Sequence, residues 1–385
     1  VICVLFSPLL DAWTFSWGDH TLHFVLLSPV IFLMAITGGE VAILKGTRRL
    51  SAVAAISFYS MVAVLLMTVP IYYIYGESGI VPSLFLAALA QMLITVAYPL
   101  RFKFRRELFA EGMGMIKLGI AFVLAGIMGS GADFLIRSFL NNNGGLDIVG
   151  LYNAGYVMTF VYAGMVFTAM ETDYFPRLSA VGSDVAEQNM CVNRQIEVTL
   201  LLVSPLMVLF MVAMPLLLPL LYSGKFMAVT GMMQFVVLGM FVRAVSLPIA
   251  YLPLSKGDSV LYLVVEAVYD VMVVGLTVVA YNLWGLTGTG AALALSLLID
   301  CVMLYAVMNI RYGYAMSRDV VRYMGVLLPF ALMSFLITMT DSSVVYWVMG
   351  CLLVLSSSAV SIYILHNKTS LWEKLVQKIG QKLHL

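Results

Sequence analysis

Eleven apolar stretches, each long enough to cross a bilayer, follow one another with only short polar connections between them. They cover 22–44, 52–75, 80–100, 115–139, 149–172, 198–222, 229–254, 259–283, 286–309, 320–340 and 344–365. A helix crosses the hydrocarbon core with about 20 apolar residues. Only helices and closed barrels satisfy every backbone donor and acceptor in lipid, and a barrel would show short alternating segments instead of continuous runs. The pattern predicts an all-α, polytopic membrane helix bundle. Composition agrees: of 385 residues 62% are hydrophobic and 11% charged, with mean hydropathy +1.00, against roughly 25% charged in a soluble domain. No polar stretch approaches domain length, which excludes a large soluble enzyme domain. The net charge of +1 comes from scattered basic residues and offers no nucleic-acid surface.

The basic residues orient the bundle. Taking the connections alternately, one set holds eighteen of the 21 Lys and Arg, from Lys45, Arg48 and Arg49 through Arg101–Arg106, Arg177, Lys256 and Arg311 to Lys368–Lys382. The other set holds Arg137 and Lys225, and Arg243 lies inside a span. Lys and Arg concentrate on the cytoplasmic side, so the first full span enters from outside and the C-terminus is cytoplasmic. The opening VICVLFSPLL has no basic n-region and no small-residue cleavage site; it reads as the end of a helix running outward, not as a signal peptide. The segment 101–111 reads as a basic connection at headgroup level. The tail 370–385 opens with a capping box, Ser370 with Glu373. It then sets Leu371, Trp372, Leu375 and Ile379 on one face and Lys374, Lys378 and Lys382 on another, as in a helix lying on the inner leaflet.

The external connections are short, the longest being NNNGGLD at 141–147, so no large external loop is present to hold polymerase or glycosyltransferase chemistry. Cys3, Cys191, Cys301 and Cys351 lack metal-ligand spacing and read as small apolar filler. His20, His23, His366 and His384 lie near membrane surfaces or in the tail, and no metal or cofactor is expected. GLTGTGAALALS (285–296) has neither the Lys nor the preceding strand of a phosphate loop. Its small residues suit close helix contact instead. Pro205, Pro215, Pro219, Pro248 and Pro253 each remove a backbone bond and bend their helices, as hinges or as fixed packing kinks.

Ionisable groups deep in a span mark a pathway or a buried pair. Asp270 falls near the middle of its span and Glu266 one turn towards the cytoplasm, so the two carboxylates share a helix face. Asp300 lies near the middle of the next span, and Arg243 roughly 5 Å from the middle of its own. Asp133 and Arg137 form another i, i+4 pair, in the outer part of their span. Two readings stay open. In one, a polar cavity offers Arg243, and secondarily Arg137, to a phosphate or glycan, while Asp270, Glu266 and Asp300 exchange protons or hold a cation. In the other, Arg243 pairs with Asp270 and Asp133 with Arg137, locking helix packing. Glu40, Glu171 and Asp173 read as interfacial.

The run GADFLIRSFL, followed by GLYNAGYVMTFVYAGMVFTAMETDYFPRLSAV, resembles the start of the second lobe of bacterial polysaccharide flippases. These are O-antigen-type translocases of the multidrug/oligosaccharidyl-lipid/polysaccharide exporter superfamily. VAILKGTRRLSAVA, LLPLLYSGKF, FVRAVSLPIAYLPLSKGD and WGLTGTGAALALS add to the resemblance in family order. It implies two six-helix lobes facing a central cavity, followed by two extra helices. On that frame 1–112 is the remainder of the first lobe with its first two to three helices missing, 113–310 the second lobe, 311–369 the extra pair and 370–385 the tail. The implied function is translocation of undecaprenyl-pyrophosphate-linked oligosaccharide to the outer leaflet of the bacterial inner membrane by alternating access. Its partners would be that lipid, membrane lipids, H+ or Na+, and the polysaccharide polymerase machinery. The chain would be a transporter and not an enzyme. The alternatives are multidrug or cation-coupled efflux on the same fold and, from a different class, a membrane glycan polymerase or glycosyltransferase.

Overall fold

The computed structural model describes residues 2–8, 21–47, 49–97, 108–182, 184–340 and 342–368. The tail 370–385 and most of the basic connection 101–111 therefore lie outside the described residues, and a helical turn, Ile2–Leu5, is what is described of the opening helix. The described residues form helices and no strand. The chain divides into two compact units, Val1–Glu107 and Leu108–Leu385.

In the first unit, α1 (Thr21–Gly46) and α2 (Leu50–Tyr75) both pack against α3 (Ile80–Val96). Val30, Leu33 and Ala88 form its small core. Ser83 of α3 donates to the Tyr72 hydroxyl of α2 at 3.0 Å, so the polar groups of this interface satisfy one another.

The second unit holds α4 (108–144), α5 (146–180), α6 (Val185–Leu221), α7 (Thr230–Ala250), α8 (259–284), α9 (286–312), α10 (Arg318–Ile337) and α11 (Ser343–Asn367). Two long helical runs turn back at glycine: Gly145 at φ 77° and Gly285 at φ 59°, a backbone region that side chains other than glycine's oppose. Across the first reversal Ile136 and Tyr152 line one cavity, and across the second Glu266 and Asp300 line another. Eight runs among the described residues are long and apolar enough to cross a membrane. Two of them are these double helices, and the 17-residue α3 adds a shorter apolar one. The helices thus fall where the apolar stretches predict spans.

Helix starts follow from local chemistry. Asp184 accepts from the Ala186 amide at 2.8 Å, Asp258 from Leu261 at 3.2 Å and Ser317 from Val320 at 3.2 Å, each supplying an acceptor that the first turn lacks. The centre of the unit is α7, where Met232, Met233, Val236, Val237 and Met240 are fully buried. Outward faces carry Leu220 at 78% exposure, Val264 at 52% and Leu328 at 41%. That much open apolar surface is stable against lipid and a liability in water.

The GLTGTGAALALS stretch performs the close contact expected of it. A Cβ on Gly290 would run into the Met232 carbonyl oxygen of α7, and one on Gly239 would lie 2.9 Å from Leu297 and 3.0 Å from the Ala294 Cα. The small residues let α9 and α7 approach backbone to backbone. Pro205, Pro215 and Pro219 sit inside α6 and Pro248 inside α7, while Pro253 opens the short helix Leu252–Ser255 that follows. Cys191, Cys301 and Cys351 are free thiols.

At the end of the unit bearing most of its basic residues, polar side chains tie α10 and α11 to α6. Asn193 accepts from Tyr314 at 3.2 Å and from the Ser317 amide at 3.0 Å. Asp258 accepts from Tyr312 at 3.0 Å and Arg311 at 3.4 Å. Desolvation opposes its ionisation, but these bonds and the Leu261 amide outweigh it and hold the carboxyl below its ordinary value. Lys368 bonds Glu197 at 2.5 Å and Asp319 at 3.0 Å, over the Tyr323 ring. Burial alone would depress the ammonium; the two carboxylates raise it above the usual lysine range. Glu197 is only 5% exposed, so removing its cation strands a buried charge. Lys368→Met should destabilise the bundle by about 2–3 kcal/mol, below the full buried-pair penalty because the Lys368 side chain is 30% exposed. A lowered thermal midpoint in detergent, partly restored by adding Glu197→Gln, is the expected result.

Candidate functional site

Asp133, Arg243, Glu266, Asp270 and Asp300 line two neighbouring cavities in the second unit. The close approach of α9 to α7 draws Asp300 inward, near the middle of α9, and sets it on the wall that Arg243 of α7 and Glu266 of α8 also line. This cavity has a volume of about 100 Å³. Asp270, one helical turn beyond Glu266, opens instead into a second cavity of about 300 Å³ with Asp133 of α4 and Tyr152 and Tyr156 of α5. Gly129 of α4 lies on the same wall, its Cβ position 3.9 Å from the Asp270 carboxylate. Arg243 and Tyr269 line both cavities.

An Arg243–Asp270 ion pair, one of the two readings open from the sequence, is not formed. Among the described residues Arg243 lies within 4 Å of no carboxylate, and its guanidinium stands over the Phe160 ring, 5.6 Å from the centroid. Asp270 keeps a buried carboxylate oxygen, Oδ2, with no hydrogen-bond partner in the protein. The Tyr152 hydroxyl, on a side chain with no exposed surface, is also unpartnered. Two orphaned polar atoms on the walls of one cavity suit water or a small polar ligand, since leaving either dry is costly. The Asp133–Arg137 pair forms as spaced, at 3.3 Å, with the side chains 39% and 34% exposed for Arg137 and Asp133. Asp133 also reaches the cavity wall; Arg137 is not part of either lining.

The seat of Arg243 is aromatic. Phe160 stacks on Tyr156 at 4.7 Å and Tyr156 on Tyr152 at 6.0 Å, one ring per helical turn. A guanidinium over a ring face is held without being neutralised. From Val157 to Ala163, α5 is wound as a π-helix, a form that clusters at functional sites. Gly164 permits it, because a Cβ there would meet the Phe160 carbonyl oxygen. The sequence does not single these rings out: an apolar run containing Tyr and Phe carries no mark of which face is inward, and Gly164 is the local signal. Of the interfacial acids, Asp173 lies 3.9 Å from Arg177, both well exposed, and Glu171 lines a small crevice with Tyr251. Among the described residues no three His, Cys, Asp or Glu side chains are grouped for a metal ion.

Three solved structures share the fold. A MATE protein in complex with MaL6 matches with TM-score 0.63 and 17% identity, over 81% of this chain and 75% of that one. The lipid II flippase MurJ, in an inward closed conformation, matches at 0.59 and 14%, over 94% and 80%. The MATE transporter ClbM in complex with Rb+ matches at 0.55 and 15%, over 84% and 76%. No curated protein sequence matches. The chain therefore shares the fold of these MATE and MurJ structures. A family model described as "Polysaccharide biosynthesis protein" matches residues 1–230, and with more than half of its length so matched this chain belongs to that family.

Proposed function

We propose that this protein flips an undecaprenyl-pyrophosphate-linked oligosaccharide from the inner to the outer leaflet of the bacterial inner membrane, with its C-terminus cytoplasmic, and hands repeat units to a polysaccharide polymerase. The observation that carries this reading is the Arg243 guanidinium, which forms no ion pair among the described residues and lines two cavities. A glycan and a diphosphate cannot cross about 30 Å of hydrocarbon unaided. A forked cation with free donors binds phosphate oxygens in a way that lysine or a neutral group does not. Arg137, tied to Asp133 at the edge of the same region, is the second candidate contact. Membership of a polysaccharide biosynthesis family supports the cargo class.

The carboxylates supply the drive. Asp270, Glu266 and Asp300 are the coupling residues, taking a proton or Na+ whose release on the far side pays for movement; the Rb+ held by the ClbM structure is in keeping with this. Asp270→Asn in the complete protein should lower gradient-driven flipping about tenfold, to the rate seen without a gradient, while abundance is unchanged. A rate indifferent to both proton and Na+ gradients in the unsubstituted protein would remove the coupling. A second reading, efflux of cationic drugs on this fold, is favoured by one observation: the larger cavity is aromatic and acidic, with Asp133, Asp270, Tyr152 and Tyr156 on its wall. Arg243 opposes that cargo by charge, and competition between a cationic dye and the lipid-linked glycan separates the two.

A further inference from the structure

We propose that an apolar groove between α5 and α6 seats the polyprenyl tail of a lipid-linked cargo, and that Lys225 receives its diphosphate on the outer side. The groove has a volume of about 420 Å³ and is open along the outward faces of the two helices. It runs from Met158 and Leu206, near the middle of their spans, to Leu221 at the outer end of α6. Its wall is apolar apart from the Tyr162 hydroxyl. Met158 and Met207, both almost fully buried, line it from below, and a flexible thioether packs well around an irregular, methyl-branched chain.

The groove suits a long polyprenyl chain better than the acyl chain of a phospholipid. From Leu206 to Leu221 it follows roughly 22 Å of helix. The acyl chains of one leaflet reach only half of a core about 30 Å thick. In addition, α5 is a shared wall. Met158 and Tyr162 line the groove, while Tyr156 and Phe160 line the cavity that Arg243 also lines. A diphosphate at Arg243 and a tail in the groove would lie on opposite faces of one helix, about 10–12 Å across. A phospholipid keeps its head at the membrane surface; a lipid in transit carries its head through mid-span and takes its tail to that depth. Lys225 adds the charge at the far end. The external connections hold two basic residues against eighteen on the other side. Arg137 is paired with Asp133, whereas the exposed Lys225 joins no ion pair among the described residues. It stands in the short turn Gly224–Val229, four residues past the outer end of the groove. An ammonium there attracts phosphate as a point charge. The tail so stays on the protein while the head passes from the depth of Arg243 to Lys225. This rests on the lipid-linked reading of the cargo, but it is tested by binding alone.

The experiment is photocrosslinking of the purified complete protein in nanodiscs, using undecaprenyl diphosphate with a benzophenone at its tail end. Peptide mass spectrometry should find the label concentrated in 158–166 and 206–221. Excess unlabelled undecaprenyl diphosphate should suppress it about tenfold or more, and the same excess of phosphatidylglycerol should not. Ala213→Trp fills the groove and should cut labelling by a similar factor, while Leu328→Trp on the outward face of α10 should leave it unchanged. Lys225→Gln should weaken undecaprenyl diphosphate binding about tenfold, as loss of one charge-assisted bond does, and leave undecaprenol, which has no phosphate, unaffected. Label spread evenly over the outward helix faces, equal suppression by phosphatidylglycerol, or a Lys225→Gln effect that is absent or the same for undecaprenol overturns the proposal. Should Ala213→Trp fail to fold, the two competition arms on the unsubstituted protein decide between the lipids. Groove labelling lost with flipping intact would remove the tail seat and leave the transport reading; labelling in place without flipping would do the reverse.

Discussion

Arg243→Ala in the complete protein should cut surface polysaccharide at least tenfold while leaving the protein's membrane abundance near normal. The residue is not part of an ion pair whose loss would strand a buried carboxylate, since no carboxylate stands within 4 Å of it among the described residues, and its seat is the Phe160 ring. Truncation therefore removes a cation–π contact of about 0.5–2 kcal/mol from a bundle whose α7 core is otherwise apolar. The cost to cargo binding is larger. A charge-assisted hydrogen bond contributes about 1.5–3 kcal/mol, which is roughly ten- to a hundredfold in an equilibrium constant. Arg243→Lys keeps the charge and loses the fork, and should recover only part of the activity. Quantitative blotting of protein and surface glycan in the same cells checks both halves. Normal glycan with Arg243→Ala would remove the residue from the cargo path.

Gly290→Leu should cost about 3 kcal/mol, the upper end of what overpacking costs, and lower the yield of folded protein sharply. The Cβ position at Gly290 is already taken by the Met232 backbone of α7, including its Cα at 2.7 Å. Backbone in a helix cannot step aside as a side-chain tip can, so α9 must move away from α7 as a whole. That separation also withdraws Asp300 from Arg243. Gly275→Ala in α8, where nothing lies within 4 Å of the new Cβ, is the matched comparison. It should be neutral or stabilising, because alanine is the better helix former by about 1 kcal/mol. Thermal unfolding in detergent reads both; similar midpoints for the two variants would contradict the packing account.

The helices were legible because bilayer thickness imposes one length on every span, and the reversal points because NNNGGLD and NLWGLTG place glycine where a positive φ is needed. Depth in a span was enough to single out Arg243, Asp270, Glu266 and Asp300. Which cavity each one enters was not. The i, i+4 spacing of Glu266 and Asp270 suggests one shared environment, yet four residues overshoot a full turn by about 40°. That offset puts the two carboxylates on different cavities, with Tyr269 and Arg243 on the walls of both. Asp133 read as half of a near-surface pair because Arg137 satisfies it locally; its place on a cavity wall depends on the reversal at Gly145 bringing α5 alongside. The π-wound segment escaped for a similar reason. It depends on where the Phe160 carbonyl points, and hydropathy carries no record of that.

The most direct test of the transport account is leaflet movement by the purified complete protein in liposomes. A polyprenyl-diphosphate oligosaccharide with a fluorescent sugar would be loaded in the inner leaflet and its arrival outside read with an impermeant quencher. The account predicts quenching that accelerates at least tenfold over protein-free vesicles, depends on Arg243, and is unaffected by a cationic dye. Equal rates with and without protein, or export of the dye with the glycan lipid left in place, would contradict it.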